Sequence, residues 1–573
     1  MIGGRTGGPG ASGALARSLA AALAPHSEIA PSGPAGELTR RLAGGFAGAV
    51  YAPSRRGGPP GEHEAAAVLA ALAAAPVPRV VVLSSTEVYE PHHHNNGYAG
   101  EATPPRPGGN PLARRWRAFE EQALGAFAAA PGRLALLRTA PVPLAAGEDF
   151  FSRMLTTAVA TPLPGFDPSL QLLDAADLAE AVRRALVTPV AGPVNVVPAG
   201  VVPVKEALRL AGRPRVPVPR WLQRLARRLP RVAEPPDRAD YLRYPWTASG
   251  ERAARELGFA ARRTSAEAVL ALRPPGPGRP AEVPSHDDFG MDPAYIAAFG
   301  RTLFRLLHDV YWRVEHRGLE NVPREGRAVL AGVHRGFMPW DGVMALHLLV
   351  RETGRPPRFL LHPTLLKFPF LSDFMTRLGG VPACRENADR ILGGDGIVAI
   401  FPEGIRGAFT PYRRAYQLGR FGRDEYVRIA VRNRAPIVPF VTVGSAEIYP
   451  ILGRLHWSWF KRLTEWPCLP LTPTFPWLPV PLPSKWHTRF LAPVPPAADW
   501  GPRAAEDPAL VAEIGGEVRR RMADAIAGML ARRRSIWRGS IFRDEPVTAA
   551  PRKADSIANP EAEAVAPEGR PRV

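Results

Sequence analysis

The chain has 573 residues, 46% hydrophobic and 22% charged, with a formal net charge of +20. That length exceeds what one core supports and excludes a single small domain, and the ordinary apolar content excludes a wholly disordered chain. The charge favours an anionic partner, and two cysteines, Cys384 and Cys468, exclude a disulfide framework.

Residues 1–270 alternate short apolar strands with Ala/Leu/Arg-rich helices, the pattern of βαβ units on a parallel sheet, so the fold class is α/β. Gly7, Gly10 and Gly13 precede a helical run, Ala14–Leu23. Glycines so spaced would let a backbone turn approach a pyrophosphate, and a plain tight turn explains them equally well. Then come Arg79–Ser85 (RVVVLSS), Tyr89, Leu170–Leu186, Val194-Asn195-Val196 and Arg255–Phe259 (RELGF). Together these resemble the extended short-chain dehydrogenases, the NAD-dependent epimerase/dehydratases, over residues 1–272. The resemblance implies a Rossmann-like domain. It also implies a catalytic Tyr-x-x-x-Lys pair, and here the chain departs: residues 1–204 hold no lysine, and the pair's place reads Asn110 to Arg114. Only Met1-Ile2 remains for a first strand, and no acidic residue follows the second strand near Glu28–Ala30 to meet a ribose hydroxyl. A degenerate scaffold without reductase activity is expected. NAD(P) binding with epimerase or oxidoreductase activity is the alternative. His92–His94 with Asn95-Asn96 read as a solvated loop with no carboxylate ligand set, and no metal is expected.

Residues 273–290 are Pro/Gly-rich and read as a linker. A second αβ domain occupies 291–540, and 541–573 reads as a disordered tail. In the second domain Val329–Asp341 reads VLAGVHRGFMPWD. A buried strand, Ala328–Val333, delivers His334. Pro339 starts a helix, Trp340–Val350, with Asp341 in its first turn. An imidazole held by a carboxylate makes a general base, although a histidine and an aspartate this close occur in most chains. Beyond them lie a helix-like run Phe370–Leu378, Gly379-Gly380, a strand Val381–Cys384, a helix Ala388–Leu392 opened by Arg385-Glu386-Asn387, and a strand Gly396–Ile400. That strand leads into Phe401–Gly407 (FPEGIRG), and a buried strand Pro436–Val443 follows.

His334 with Asp341, GGVPACRENA, FPEGIRG and APIVPFVTVG, in this order, resemble the four blocks of the glycerophospholipid/lysophosphatidic acid acyltransferases. The resemblance implies catalytic His334 and Asp341, with Arg385, Glu403, Gly404 and Arg406 at the acceptor's phosphate and Glu403 orienting Arg406 or the acceptor's hydroxyl. It implies an acyl-CoA or acyl-carrier-protein donor, a lysophospholipid acceptor with lysophosphatidate first, and no cofactor for the transfer; a neutral acylglycerol acceptor is the alternative. Six residues separate His334 from Asp341 where the family usually has four, so Gly336–Pro339 are read as a bulge. Ile405 replaces a frequent threonine. Guanidinium groups suit oxyanions because they bind them as a fork. No nucleophilic cysteine is needed, and Cys384 reads as a small core residue.

Five tryptophans (Trp457, Trp459, Trp466, Trp477, Trp486) fall in Leu455–Trp486 beside Lys461, Arg462 and Lys485, which suggests contact with an anionic membrane surface. Val511–Arg534 is amphipathic and reads equally as a lipid-surface helix or a cap on its own domain. The early apolar run Leu19–Pro25 is too short for a secretory signal. No stretch reaches the ~18–20 apolar residues of a spanning helix. A cytoplasmic protein, peripheral on the inner face of the cell membrane and with no nucleic-acid partner, is expected.

Overall fold

The computed structural model describes residues 2–4, 14–23, 29–31, 42, 46–53, 58–95, 97–104, 109–145, 149–158, 160, 162–216, 238–273, 287–422, 424–477 and 480–543. The first module holds a six-stranded parallel sheet in the order Ile29–Pro31, Ile2–Gly4, Ala49–Tyr51, Val80–Ser85, Leu134–Thr139, Pro193–Val196. The first strand extends to Gly4, so it is three residues long rather than the two the sequence suggested. Val80–Ser85 is buried along its whole length, as a central parallel strand covered on both faces must be. Helices including Ala14–Leu23, Glu62–Ala74, Pro111–Ala126 and Ala175–Val187 accompany it. This is a Rossmann-like arrangement whose strand order reverses beside Ile2–Gly4, the switch point where such sheets bind ligands.

The second module has a seven-stranded sheet in the order Val381–Pro382, Arg358–Leu361, Ile397–Ile400, Ala328–Gly332, Ile437–Val443, His487–Phe490, Glu315–Arg317. All neighbours are parallel except Ile437–Val443 with His487–Phe490. Ala328–Gly332 lies at the centre, fully buried, with Ile397–Ile400 and Ile437–Val443 on either side. The first, third and fourth blocks therefore lie on adjacent strands, and the first and third lead off the same carboxyl-terminal edge. The long helix Pro508–Arg532 is capped by Asp507, whose carboxylate accepts from Ala509 N–H at 2.9 Å. Its Val511, Val518, Met522, Ile526 and Met529 are buried in the second module's core. Of the two readings of this segment, the structure takes the cap on its own domain.

Two expected boundaries shift. Ile541 and Phe542, assigned to the tail, are 6% and 3% exposed and belong to that core. At the end of the linker, Tyr98 Oη donates to the Asp288 carbonyl at 2.7 Å, and Arg390 reaches the Asp288 carboxylate at 2.9 Å. Residues 287–290 thus lie against both modules.

Candidate active site

Hydrophobic burial fixes Ala328–Gly332 at the centre of the sheet, so the chain emerges at its edge with His334 as the second residue beyond the strand. Gly332 is required there: a Cβ would meet the rings of Phe440 at 2.3 Å and Phe401 at 2.8 Å. The loop then turns through Gly336, at φ +73, and the helix Trp340–Thr353 begins after Pro339. The bulge read at Gly336–Pro339 is thus present. Phe337 N–H donates to the Ala408 carbonyl at 3.0 Å, while its ring is 5% exposed among Tyr449, Phe409, Trp466 and Phe475. The longer loop is pinned by its own aromatic residue.

The loop brings His334 and Asp341 together. Nδ1 of His334 lies 2.8 Å from each carboxylate oxygen of Asp341, whose side chain is 0% exposed. Asp341 also accepts from the backbone N–H of Arg335 at 2.9 Å and of Gly342 at 2.8 Å. An ionised carboxylate can only accept, so Nδ1 carries the imidazole's proton and the lone pair lies on Nε2. The imidazole packs on Phe401, ring centroids 5.1 Å apart.

His334 lines a cavity of about 100 Å³ that opens to solvent. The walls are chiefly apolar: Phe337, Val343, Leu346, Phe359, Met375, Leu378, Phe401 and Phe409, with Trp466, Gly380, Gly404 and Ile405. Besides the indole, the polar side chains on the wall are His334, His362 and Thr364; among the described residues no lysine or arginine lines it. His362 accepts from Thr364 N–H at 3.3 Å, and burial lowers its pKa.

The other predicted residues are distributed around this centre. Gly404, at φ +56, is on the wall. Arg406 is exposed on the short helix Gly404–Ala408. Arg385 is exposed at the start of the helix Arg385–Gly393, 3.6 Å from Asp389. Glu403 does not orient Arg406. It takes a buried fork from Arg335, with Nη1 to Oε2 at 2.5 Å and Nη2 to Oε1 at 3.2 Å, and accepts from Gly419 N–H at 2.6 Å. Arg335 is 1% exposed and also donates to the carbonyls of His334 (2.7 Å), Gln417 (3.2 Å) and Ala415. This residue, missed in the sequence, ties the histidine loop to the third block; nothing marked it among the chain's arginines. Cys384 caps the helix Arg385–Gly393, and burial pushes its thiol up to about 12, which removes it as a nucleophile.

In the first module, Gly7, Gly10 and Gly13 lie outside the described residues. Where the tyrosine–lysine pair would fall, Asn110 is a helix cap, accepting from Leu112 N–H at 2.9 Å, and Arg114 is exposed. Tyr89 Oη donates to Asn195 Oδ1 at 2.7 Å, and burial pushes its pKa up to about 12. Arg138 pairs with Glu120 at 2.7 Å, and Ser84, at the end of its strand, donates to the same carboxylate at 2.6 Å. These residues do not fit the proton-donor side of a nicotinamide site. The triple histidine is not a solvated loop: His93 is 5% exposed, and His93 and His94 both meet a carboxylate, that of Glu465.

The tryptophans divide. Trp457, Trp459 and Trp477 are 45%, 56% and 89% exposed. Trp466 lines the cavity, and Trp486 is fully buried, stacked on Trp312 at 4.5 Å. Lys485 pairs with Glu315 at 2.8 Å. Among the described residues no helix is long and apolar enough to cross a membrane.

Comparison with known proteins agrees with the second module's geometry. The Acyltransferase family model matches residues 313–443. An uncharacterized protein of Mycobacterium tuberculosis is 37% identical over 262 residues, 44% of this chain and 72% of its own length. Phytyl ester synthase 2, chloroplastic, of Arabidopsis thaliana is 31% identical over 143 residues, 24% of this chain and 20% of its own. Among solved structures, UDP-N-acetylglucosamine 4-epimerase from Bacillus cereus aligns with 48% of this chain and 97% of its own, at 15% identity and a TM-score of 0.33. The dTDP-glucose 4,6-dehydratase DesIV from Streptomyces venezuelae aligns with 47% and 94%, at 15% identity and a TM-score of 0.36.

Proposed function

Through its second module the chain belongs to the acyltransferase family, and we propose that it moves a fatty acyl group from an acyl-CoA or acyl-carrier protein to the hydroxyl of a lipid alcohol, with lysophosphatidate the first acceptor. The observation that carries this reading is the His334–Asp341 pair at the wall of an apolar cavity. Nε2 of His334 takes the proton of the acceptor hydroxyl as the oxygen attacks the thioester carbonyl. Asp341 stabilises the imidazolium that forms, and the proton then passes to the departing thiolate. A positioned base of this kind contributes about 10²–10⁴-fold. The acyl chain lies among Val343, Leu346, Phe359 and Met375. A phosphate would sit outside, at the exposed Arg406 and Arg385, while Glu403 acts by holding Arg335.

A neutral alcohol is the second reading. It is favoured by a cavity wall without lysine or arginine among the described residues and by the likeness to the phytyl ester synthases. A peripheral cytoplasmic location goes with either acceptor, with Trp457, Trp459, Leu463 and Trp477, beside Lys461 and Arg462, meeting an anionic surface. The first module serves as a scaffold.

The test is transfer from labelled acyl-CoA to lysophosphatidate, a monoacylglycerol and phytol, with and without anionic vesicles. His334→Ala is expected to lower transfer at least ~10²-fold while the chain still folds, read by circular dichroism. Wild-type turnover by that variant would overturn the mechanism. Arg406→Ala should raise KM for lysophosphatidate alone; an equal effect on all three acceptors would remove the phosphate from the reading.

A further inference from the structure

Glu465 stands between the helix Ser458–Thr464 and Trp466, in the left-handed region at φ +61. Its carboxylate meets Nε2 of His93 at 2.8 Å, Nε2 of His94 at 2.8 Å and Nζ of Lys367 at 3.0 Å. The two imidazoles come from the first module and the ammonium from the second. Burial raises the Glu465 pKa, but its hydrogen bonds to Lys367, His93 and His94 outweigh that and hold it at about 2. Two imidazoles and a carboxylate within 4.8 Å form a donor set that a divalent cation accepts. Here the Lys367 ammonium already supplies positive charge to that carboxylate and would repel a second cation.

What this carboxylate holds is the wall of the acyl cavity. Trp466, the next residue, lines the cavity and packs against Phe337 and Phe409, centroids 5.9 and 5.6 Å away. Lys367 ends the turn Pro363–Lys367, whose Thr364 and Leu365 also line it. The first module grips a further wall segment. Lys205 Nζ reaches Asp373 at 2.6 Å, and the Gly165 carbonyl accepts Phe370 N–H at 2.6 Å, both at the helix Leu371–Arg377 that places Met375 in the cavity.

We propose that His93 and His94 are positioning residues for the acyl site, fastening the Glu465–Trp466 and Lys367 segments so that the first module sets the shape of the cavity and the length of chain it takes. This rests on the acyl-transfer reading and gives the fusion of the two modules a physical reason. Neither histidine touches substrate. Each acts through Glu465, and hydrogen bonds to a charged, partly buried group are the strong ones.

The experiment compares the full chain with the His93→Ala/His94→Ala and His93→Gln/His94→Gln variants in three measurements. Amide exchange over residues 362–368 and 464–468 is expected to rise about tenfold in the alanine variant, with Val80–Ser85 unchanged. Affinity for a fluorescent long-chain fatty acid should fall severalfold. The preference for palmitoyl over octanoyl donors should shrink through KM, with kcat for octanoyl-CoA kept. Glutamine, which restores an N–H donor, should recover part of each. If the alanine variant does not fold, Glu465→Gln reads the same quantities. Unchanged exchange and affinity would overturn the proposal, as would stoichiometric zinc in the purified protein that is lost in His94→Ala. Exchange and fatty-acid affinity are read without turnover, so a wild-type chain that transfers nothing would sink the acyl-transfer reading while these two still judge the fastening.

Discussion

Arg335 and Asp341 share the task of presenting His334. Asp341 accepts from the imidazole and from two backbone N–H groups, so it fixes the tautomer and the path of the loop together. Arg335 reaches from that loop to Glu403, both side chains buried at 1% and 4% exposure. Removing one member of a buried pair leaves an uncompensated charge, at a cost of about 3–5 kcal/mol. Arg335→Met is therefore expected to lower unfolding free energy by about that amount in urea melts, while Arg335→Met/Glu403→Leu costs less than the single change. If transfer falls in both variants, Arg335 also matters for placing His334. The sequence offered His334 and Asp341 by their pattern, but no local signal distinguishes an arginine that will be buried from one that stays in water.

At the scale of elements, the apolar runs marked the central strands to within a residue or two: Ala328–Gly332, Ile397–Ile400 and Ile437–Val443 lie where apolar strands were expected, and their parallel pairing is what the structure adds. Pro339 and Gly336 likewise located the helix start and the bulge, because proline and glycine restrict or free the backbone locally. The cavity was not legible. Its walls come from segments far apart in the chain, such as Met375, Gly404 and Trp466, and no periodicity encodes their meeting. The five tryptophans show the same limit: residue type gave affinity for an interface, while packing sent Trp486 to the core and left Trp477 exposed. Gly336 carries a specific expectation. At φ +73, with the Ser445 carbonyl 3.0 Å from where a Cβ would stand, Gly336→Ala should cost about 1–2 kcal/mol. It should also reduce transfer more than acyl-chain binding, measured as kcat against fatty-acid affinity.

Across the whole molecule, acid sensitivity follows from histidines kept neutral inside the second module. Burial lowers His347, on the helix that carries Asp341, to about 4, and His487, on the antiparallel strand, also to about 4. Both folded pKa values lie below the ordinary 6.5, so the unfolded chain takes up the proton more readily. The stability these groups contribute is complete above pH 6.5 and is lost as pH falls towards 4. The urea midpoint should drop through that window, and His347→Leu should flatten part of the slope. An unchanged slope in His347→Leu would show that other groups govern it. Turnover is therefore compared above pH 6.5, where these two histidines cost the fold nothing.

The short run at the end of the linker bears on evolution as well as on architecture. Asp288 is fastened to Tyr98 on one side and Arg390 on the other, so the chain is stapled down before it enters the second module. Alignment of the halves is then carried by contacts that Asp288 itself makes, so a lineage that keeps Asp288, Tyr98 and Arg390 keeps both halves in the same register.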